Sequence, residues 1–395
     1  MGSSASRHRV GIVFGLVGLA AFALPLASVS RSRIATGELQ GTFDVLDPIG
    51  LAAVFLPWLG IVAFSSLRGS ATRRRDAAVR GWFASVAVVA LVYASGRAAG
   101  PALAGVGEFA RYSLGPGIWL AGFAAFTITI AARREVGQGT FTGWAVTFAA
   151  PAGITLLALA GALDGLGIMV EYRNLGARFW PAVGQHIAYT AAAIVIAGLL
   201  GVVLGVVAYR NQKAARPVFA LVNAFQTIPG LALMGLLVLP LASLSRAVPG
   251  LRELGIGGLG WAPVVLALSL YALLAVVRNT YAGLASVPAA TLEAGTGMGM
   301  TQRQLLRRVL FPLARPIVFS GVRTASQQTV GNATLGAFVA AGGLGPLIFL
   351  GLAQQATDLV LLGSIALVLL ALAIDGAMRT VQSLMTPRTT GEVAR

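Results

Sequence analysis

Glu293 is the residue with the clearest claim to specific chemistry. It opens a polar stretch, 293–312, that reads EAGTGMGMTQRQLLRRVLFP and is the longest strongly polar interruption in the apolar C-terminal half. A carboxylate, three glycines (Gly295, Gly297, Gly299) and the basic pair Arg303 and Arg307 make a recognition surface rather than a reaction centre. Other polar residues sit inside apolar runs, where they are costly and tend to face a bundle interior or water. Thr324, Gln328 and Asn332 recur at i, i+4 and i+8, so they form one stripe of a helix. Asn223 and Gln226 share a face just before Pro229, and Tyr271 lies mid-run. A neutral polar lining suits a cation or zwitterion that passes without tight capture, with Tyr271 offering a weak cation–π contact. The same residues also suit hydrogen bonding between helices. Bond-making chemistry has no candidate. There is no cysteine, no HExxH and no Cys/His cluster, and Lys213, the single lysine, does not close a GxxxxGK[ST] phosphate loop. We therefore expect no catalytic residue, no metal site and no cofactor held by this chain.

The elements that position these residues are membrane helices. The chain has 395 residues, of which 57% are hydrophobic and only 11% charged, well below the ~25% charged residues of soluble domains. Apolar runs occupy 10–29, 48–64, 81–95, 115–131 and 144–163, then 186–209, 217–244, 261–277, 317–341 and 359–378. They are continuous rather than alternating, so they read as helices. The expectation is an all-α polytopic membrane protein of about ten transmembrane helices. The first run is either a retained anchor or a signal segment; its length favours the anchor.

The net charge of +16 comes almost wholly from arginines clustered in short loops. That pattern orients a membrane protein and leaves no soluble basic domain for nucleic acid. Arg68 with Arg73, Arg74, Arg75 and Arg80, then Arg133 and Arg134, then Arg210, Lys213 and Arg216, mark loops expected inside. Segments 30–46, 96–112 and 164–184 are then outside, and 293–312 and both termini inside. Composition divides the chain into an N-terminal membrane block of about five helices (1–163), an external or interfacial linker (164–185), a C-terminal membrane domain (186–385) and a tail (386–395). Phe179-Trp180-Pro181 reads as an interfacial anchor. His186 is expected at the outer interface. Asp375, the carboxylate deep in the last run, reads as a snorkelling or packing residue, with proton coupling in a secondary transporter as the rival.

Within 293–312 and its approach the local signals are specific. Ser286 can N-cap a helix with Pro288 in its first turn. The glycines make continuation costly, each about 1 kcal/mol worse than alanine, and permit a sharp turn. Thr301 and Gln304 form a capping-box pair for a second helix. That helix carries Leu305, Leu306, Val309 and Leu310 on one side, and Pro312 is expected to end it. The result is a helix–turn–helix knob with an apolar face, suited to a groove on a partner.

Glu293, Ala294 and Gly295, then Gly299, Val309, Phe311 and Pro312 match, at the right spacing, the "EAA" loop of ABC importer permeases. Gly295 stands where a second alanine is usual and Phe311 where leucine is usual. Tyr271-Ala272-Leu273-Leu274, Arg278-Asn279-Thr280-Tyr281-Ala282-Gly283, Gln226-Thr227-Ile228-Pro229-Gly230-Leu231-Ala232 and Gly342-Gly343-Leu344-Gly345 look like the osmoprotectant branch of that family (glycine betaine, carnitine, choline). The likeness covers slightly over half the chain. The first five runs lie outside the usual short permease, although some members resemble this chain in having such an extension. The resemblance implies a five-helix permease core in a bacterial cytoplasmic membrane. It also implies two cytoplasmic ATPase subunits that hold ATP and Mg and dock on the Glu293 loops, an extracytoplasmic substrate-binding protein, and a second permease copy or a related permease. A non-transporting scaffold is the remaining alternative.

Overall fold

The computed structural model describes residues 2–66, 73–137 and 140–385. Arg68 and the tail with Arg388 and Arg395 lie outside the described residues. The chain divides into two compact units, Met1–Leu175 with Leu352–Leu359, and Gly176–Gly351 with Val360–Arg395.

The first unit holds α1 (Gly2–Ala20), β1 (Ala27–Ser30), β2 (Glu38–Gln40), α2 (Thr42–Val45), α3 (Pro48–Ser66), α4 (Arg73–Leu103), β3 (Arg111–Leu114), α5 (Pro116–Val136), α6 (Phe141–Leu159) and α7 (Gly167–Leu175). Trp58, Ile61, Leu91 and Ile128 fill the space between α3, α4 and α5. A Cβ at Gly18 would overlap the Trp58 ring, so glycine lets α1 lie against it. Arg80 and Glu135 form a buried ion pair at 2.8 Å between the start of α4 and the end of α5.

A short three-stranded sheet accompanies the helices of this unit. The run at 10–29 stops being helical after a 3-10 turn at Ala21–Ala23, and its last residues become β1. β1 is the middle strand, antiparallel to both neighbours, with Ser28 opposite Leu39 and Ser113. Ala27-Ser28-Val29-Ser30 is too short to announce a strand by alternation; pairing with β2 and with β3, about 85 positions away, is what selects it. Tyr112 bridges to Leu166 and is fully buried, and burial pushes its phenol pKa up. The three segments expected on one side of the membrane thus meet at one end of this unit.

The second unit contains α8 (Phe179–Arg210), α9 (Gln212–Thr227), α10 (Gly230–Ala247), α11 (Pro249–Glu253), α12 (Trp261–Ala285), α13 (Ala289–Gly297), α14 (Gln302–Leu305), a π turn (Leu306–Leu310), α15 (Phe311–Asn332), a 3-10 stretch (Ala333–Val339), α16 (Gly345–Ala353) and α17 (Thr357–Met385). α12 is its centre, packed on α8 and α15. A Cβ at Gly201 would stand 2.7 Å from Val276 Cβ, and one at Gly205 2.5 Å from Thr280 Cβ. Glycines one turn apart on α8 therefore let α12 approach closely, the packing mode of membrane helices.

Among the described residues eight helices are long and apolar enough to cross a membrane, and Arg9–Ala23 is a shorter apolar helix. α15 has 22 residues, enough to span, but carries Arg315 and Arg323. Two runs are not single helices. The run at 217–244 is broken between α9 and α10 at Pro229, and the run at 317–341 leaves α-helical geometry after Asn332. Ala340 then takes a left-handed backbone, φ 56°.

Candidate docking loop and polar helix faces

The Glu293 stretch forms a helix, a turn and a second helix, with three local differences from the expected details. Ser286 does not N-cap α13. Its hydroxyl donates back to the Gly283 carbonyl at 2.8 Å, so it closes α12, and Pro288 is the N-cap. The helix continues through Gly295 and Gly297, so the turn comes later, at Gly299, whose φ of +76° is the left-handed value glycine accepts without strain. Thr301 and Gln304 make the expected capping box: Gln304 N–H donates to Thr301 Oγ1 at 3.3 Å and Thr301 N–H to Gln304 Oε1 at 2.8 Å.

Pro312 does not end the second helix. α14, the π turn and α15 run without a break from Gln302 to Asn332. Proline lacks an N–H and crowds the carbonyl four residues back. Here the turn before it widens: Phe311 N–H reaches the Leu306 carbonyl, five residues back. A π turn just N-terminal to Pro312 absorbs the mismatch that would otherwise kink the helix. The knob is therefore continuous with a long membrane helix.

Burial divides the stretch into a root and a face. Leu310 is buried with Leu284, Val287, Ala314 and Val318, and Leu292 and Leu306 pack against them. Leu305 is buried over Gly295, where a Cβ would come within 2.6 Å of Leu305 Cδ1; glycine at this place fits the tight helix–helix contact. Val309, Phe311 and Pro312 are half-buried at the root. Glu293, Ala294 and Gly299 are exposed, and Met298 beside them is 73% exposed. The Glu293 carboxylate has no ion pair or hydrogen bond among the described residues. Arg303, Arg307 and Arg308 are exposed as well.

The seven polar-face candidates fall into two groups. Four of them gather at the α9–α10 break. Pro229 leaves the preceding carbonyls without helical partners, and Tyr271 hydroxyl donates to the Ile228 carbonyl. Gln226 Nε2 donates to the Tyr271 carbonyl at 2.6 Å, and Arg278 Nη2 to Asn223 Oδ1 at 3.4 Å. The other three lie on α15. Thr324 hydroxyl returns to its own helix at Ser320 O, 3.0 Å, while Gln328 is exposed and Asn332 half-buried, both without a side-chain hydrogen bond among the described residues.

Two polar centres that sequence weighed only lightly are built into this unit. Asp375 accepts from Arg323 Nε at 2.8 Å, from Gln327 Nε2 at 2.6 Å and from Arg379. Three donors on one buried carboxylate make it a tie between α15 and α17. His186 is fully buried within the protein. Its Nδ1 accepts from Leu344 N–H at 3.3 Å and its Nε2 meets the Val330 carbonyl at 3.0 Å, which suits a neutral ring with the proton on Nε2. Gln185 Oε1 accepts from Gly343 N–H at 3.1 Å. Gln185 and His186 thus hold the Gly342-Gly343-Leu344-Gly345 turn. A polar pair in sequence next to an apolar run, with a glycine-rich motif elsewhere, was the available signal; only the fold joins them.

Comparison with known proteins agrees with this architecture. Residues 197–389 match the model of the binding-protein-dependent transport system inner membrane component, and residues 6–169 that of the ABC transporter permease YehY N-terminal domain. The chain is 38% identical over 205 residues to the osmoprotectant import permease protein OsmW of Salmonella typhimurium, covering 52% of this chain and 90% of that protein. It is 35% identical over 221 residues to the glycine betaine/carnitine/choline transport system permease protein OpuCB of Bacillus subtilis, covering 56% and 94%. A chain from an inward-facing MetNI methionine ABC transporter structure is similar at 24% identity and a TM-score of 0.46, covering 52% of this chain and 95% of that one. With the loop geometry and these near full-length matches to permeases, the chain belongs to the binding-protein-dependent transport system inner membrane components, the permeases of ABC transporters.

Proposed function

We propose that this chain forms the pore of an ATP-driven importer for osmoprotectants, quaternary amines such as glycine betaine or choline, in a bacterial cytoplasmic membrane with both termini in the cytoplasm. Alternating access is driven by two separate ATP-binding subunits, which hold ATP and Mg and dock on 293–312 through Glu293, Ala294 and Gly299 at the face, with Gly295 buried beneath Leu305 to shape it and Val309, Phe311 and Pro312 at the root. An extracytoplasmic binding protein delivers the solute, and a second permease copy or a related permease completes the pore. Asn223, Gln226, Pro229, Tyr271, Thr324, Gln328 and Asn332 line or frame the pathway. Gln328 and Asn332 contact solute, while Gln226 and Tyr271 fix the α9–α10 break beside it.

The observation that carries the reading is the unpaired, exposed Glu293 on a knob whose root runs unbroken into α15. A push on the knob has a continuous helix through which to act. The substrate class rests on the permeases to which the chain is similar. The test is co-purification with the ATPase and binding protein, followed by uptake of labelled betaine and choline. Glu293→Lys should lower substrate-stimulated ATP hydrolysis and leave binding-protein affinity for solute unchanged. Coupled transport at the wild-type rate in that variant would remove the docking role. Uptake that persists without nucleotide would remove the ATP-driven mechanism.

A further inference from the structure

The first unit carries a groove that none of this employs. It has a volume of about 600 Å³ and lies beside the three-stranded sheet. Ser32 and Arg33 come from the β1–β2 connection, Phe109 and Arg111 from the approach to β3, Asn174 from α7 and Gln354 from the segment before α17. Ile34 completes the lining; five of the seven residues offer hydrogen-bond donors, and no carboxylate lines the groove. The charges behind it are unequal. Arg33 is matched by the buried Glu171, Nε to Oε1 at 3.1 Å. Arg111 has no carboxylate within ion-pair distance among the described residues; the nearby Asp358 is buried and accepts from Ser113 at 2.6 Å. Arg111 is also fixed in place, since its Nη1 donates to the carbonyls of Phe109 and Ala110, both at 3.1 Å.

We infer that this groove is a binding site for a monoanionic oxyanion group, a carboxylate or a phosphodiester. One fixed guanidinium that makes no direct ion pair among the described residues, with buried Asp358 acting on it only at a distance, favours a ligand with a single negative charge. Hydroxyl and amide donors complete its hydrogen bonding, and exposed Phe109 covers the apolar or cationic remainder of the ligand. The oxyanion comes from a free solute or from a lipid headgroup. The site lies wholly in the first unit and does not depend on the transport reading.

The test uses the full chain in maltoside detergent, which brings no oxyanion of its own. Glycine betaine, choline (a similar cation without a carboxylate) and phosphatidylglycerol are the probes, read by equilibrium binding for the solutes and native mass spectrometry for the lipid. Asn174→Asp with Gln354→Glu adds like charge at near-constant shape, and Arg111→Gln removes the guanidinium. Betaine binding that exceeds choline binding and weakens at least about tenfold in the double variant assigns a solute carboxylate. Retained phosphatidylglycerol that is lost in the double variant, without betaine binding, assigns a headgroup. Binding of either probe unchanged in both variants, or no binding of either below about 10 mM, overturns the site. Unaltered thermal unfolding of the double variant shows that any loss is not misfolding.

Discussion

Asp375 receives three donors, and Glu293 receives none among the described residues. The two carboxylates therefore answer differently to substitution. Asp375→Asn leaves Arg323 half-buried with no counter-charge, and breaking such a pair costs about 3 kcal/mol or somewhat less at this exposure. Arg323→Gln added to Asp375→Asn should restore part of the loss, a coupling that a double-mutant cycle on detergent-solubilised protein would measure. Glycines of the knob differ in the same way. Gly299 holds φ +76°, so Gly299→Ala should cost about 1–2 kcal/mol. Gly295 is helical, and its only tight neighbour is the end of the Leu305 side chain. Gly295→Ala gains about 1 kcal/mol of helix propensity against that contact and should leave thermal stability nearly unchanged. Sequence shows that glycines crowd here. It does not show which of them turns the chain, because only the backbone angle separates Gly299 from Gly295.

At the level of elements, the turn 342–345 is read by α8 through Gln185 and His186. A Cβ at Gly342 would overlap the end of the Gln185 side chain, which can swing away. One at Gly345 would overlap the Thr334 carbonyl and its backbone, which cannot. Gly345→Ala should therefore lower the melting temperature far more than Gly342→Ala, and scanning fluorimetry of the two variants would show it. An equal effect would mean that the turn has slack that the packing does not reveal. The capping box at Thr301 was legible because both its partners lie within four residues. Continuation of the helix through Pro312 was not, because a proline following a polar stretch looks the same whether the turn before it closes as α or as π.

For the whole molecule, two units match two different family models, 6–169 and 197–389. The first unit also takes in Leu352–Leu359, where Ser113 donates to buried Asp358 at 2.6 Å. A deletion of 1–163 removes that donor and exposes or strands the carboxylate, a loss of about 1–3 kcal/mol from this contact alone. The truncated chain should unfold at a lower temperature than the full chain. Asp358→Ala in the truncated chain should return part of the difference, since the stranded carboxylate is then gone. Differential scanning fluorimetry of the three proteins completes the comparison.

By itself the sequence determined the membrane class, the positions of most of the membrane helices and the helix–turn–helix form of 293–312. All of these rest on apolar run length, local propensity and pairs within one or two helical turns. Only the tertiary structure decided that 27–30 is a strand, that His186 is a buried clamp, that Tyr271 and Gln226 hold the break at Pro229, and that the second helix of the Glu293 knob runs unbroken from Gln302 through Pro312 to Asn332. Each of these depends on a partner or a backbone register that lies far along the chain or leaves no mark on residue type. The Glu293 carboxylate could be found by its neighbours in sequence; that it is left without a partner is a property of the fold.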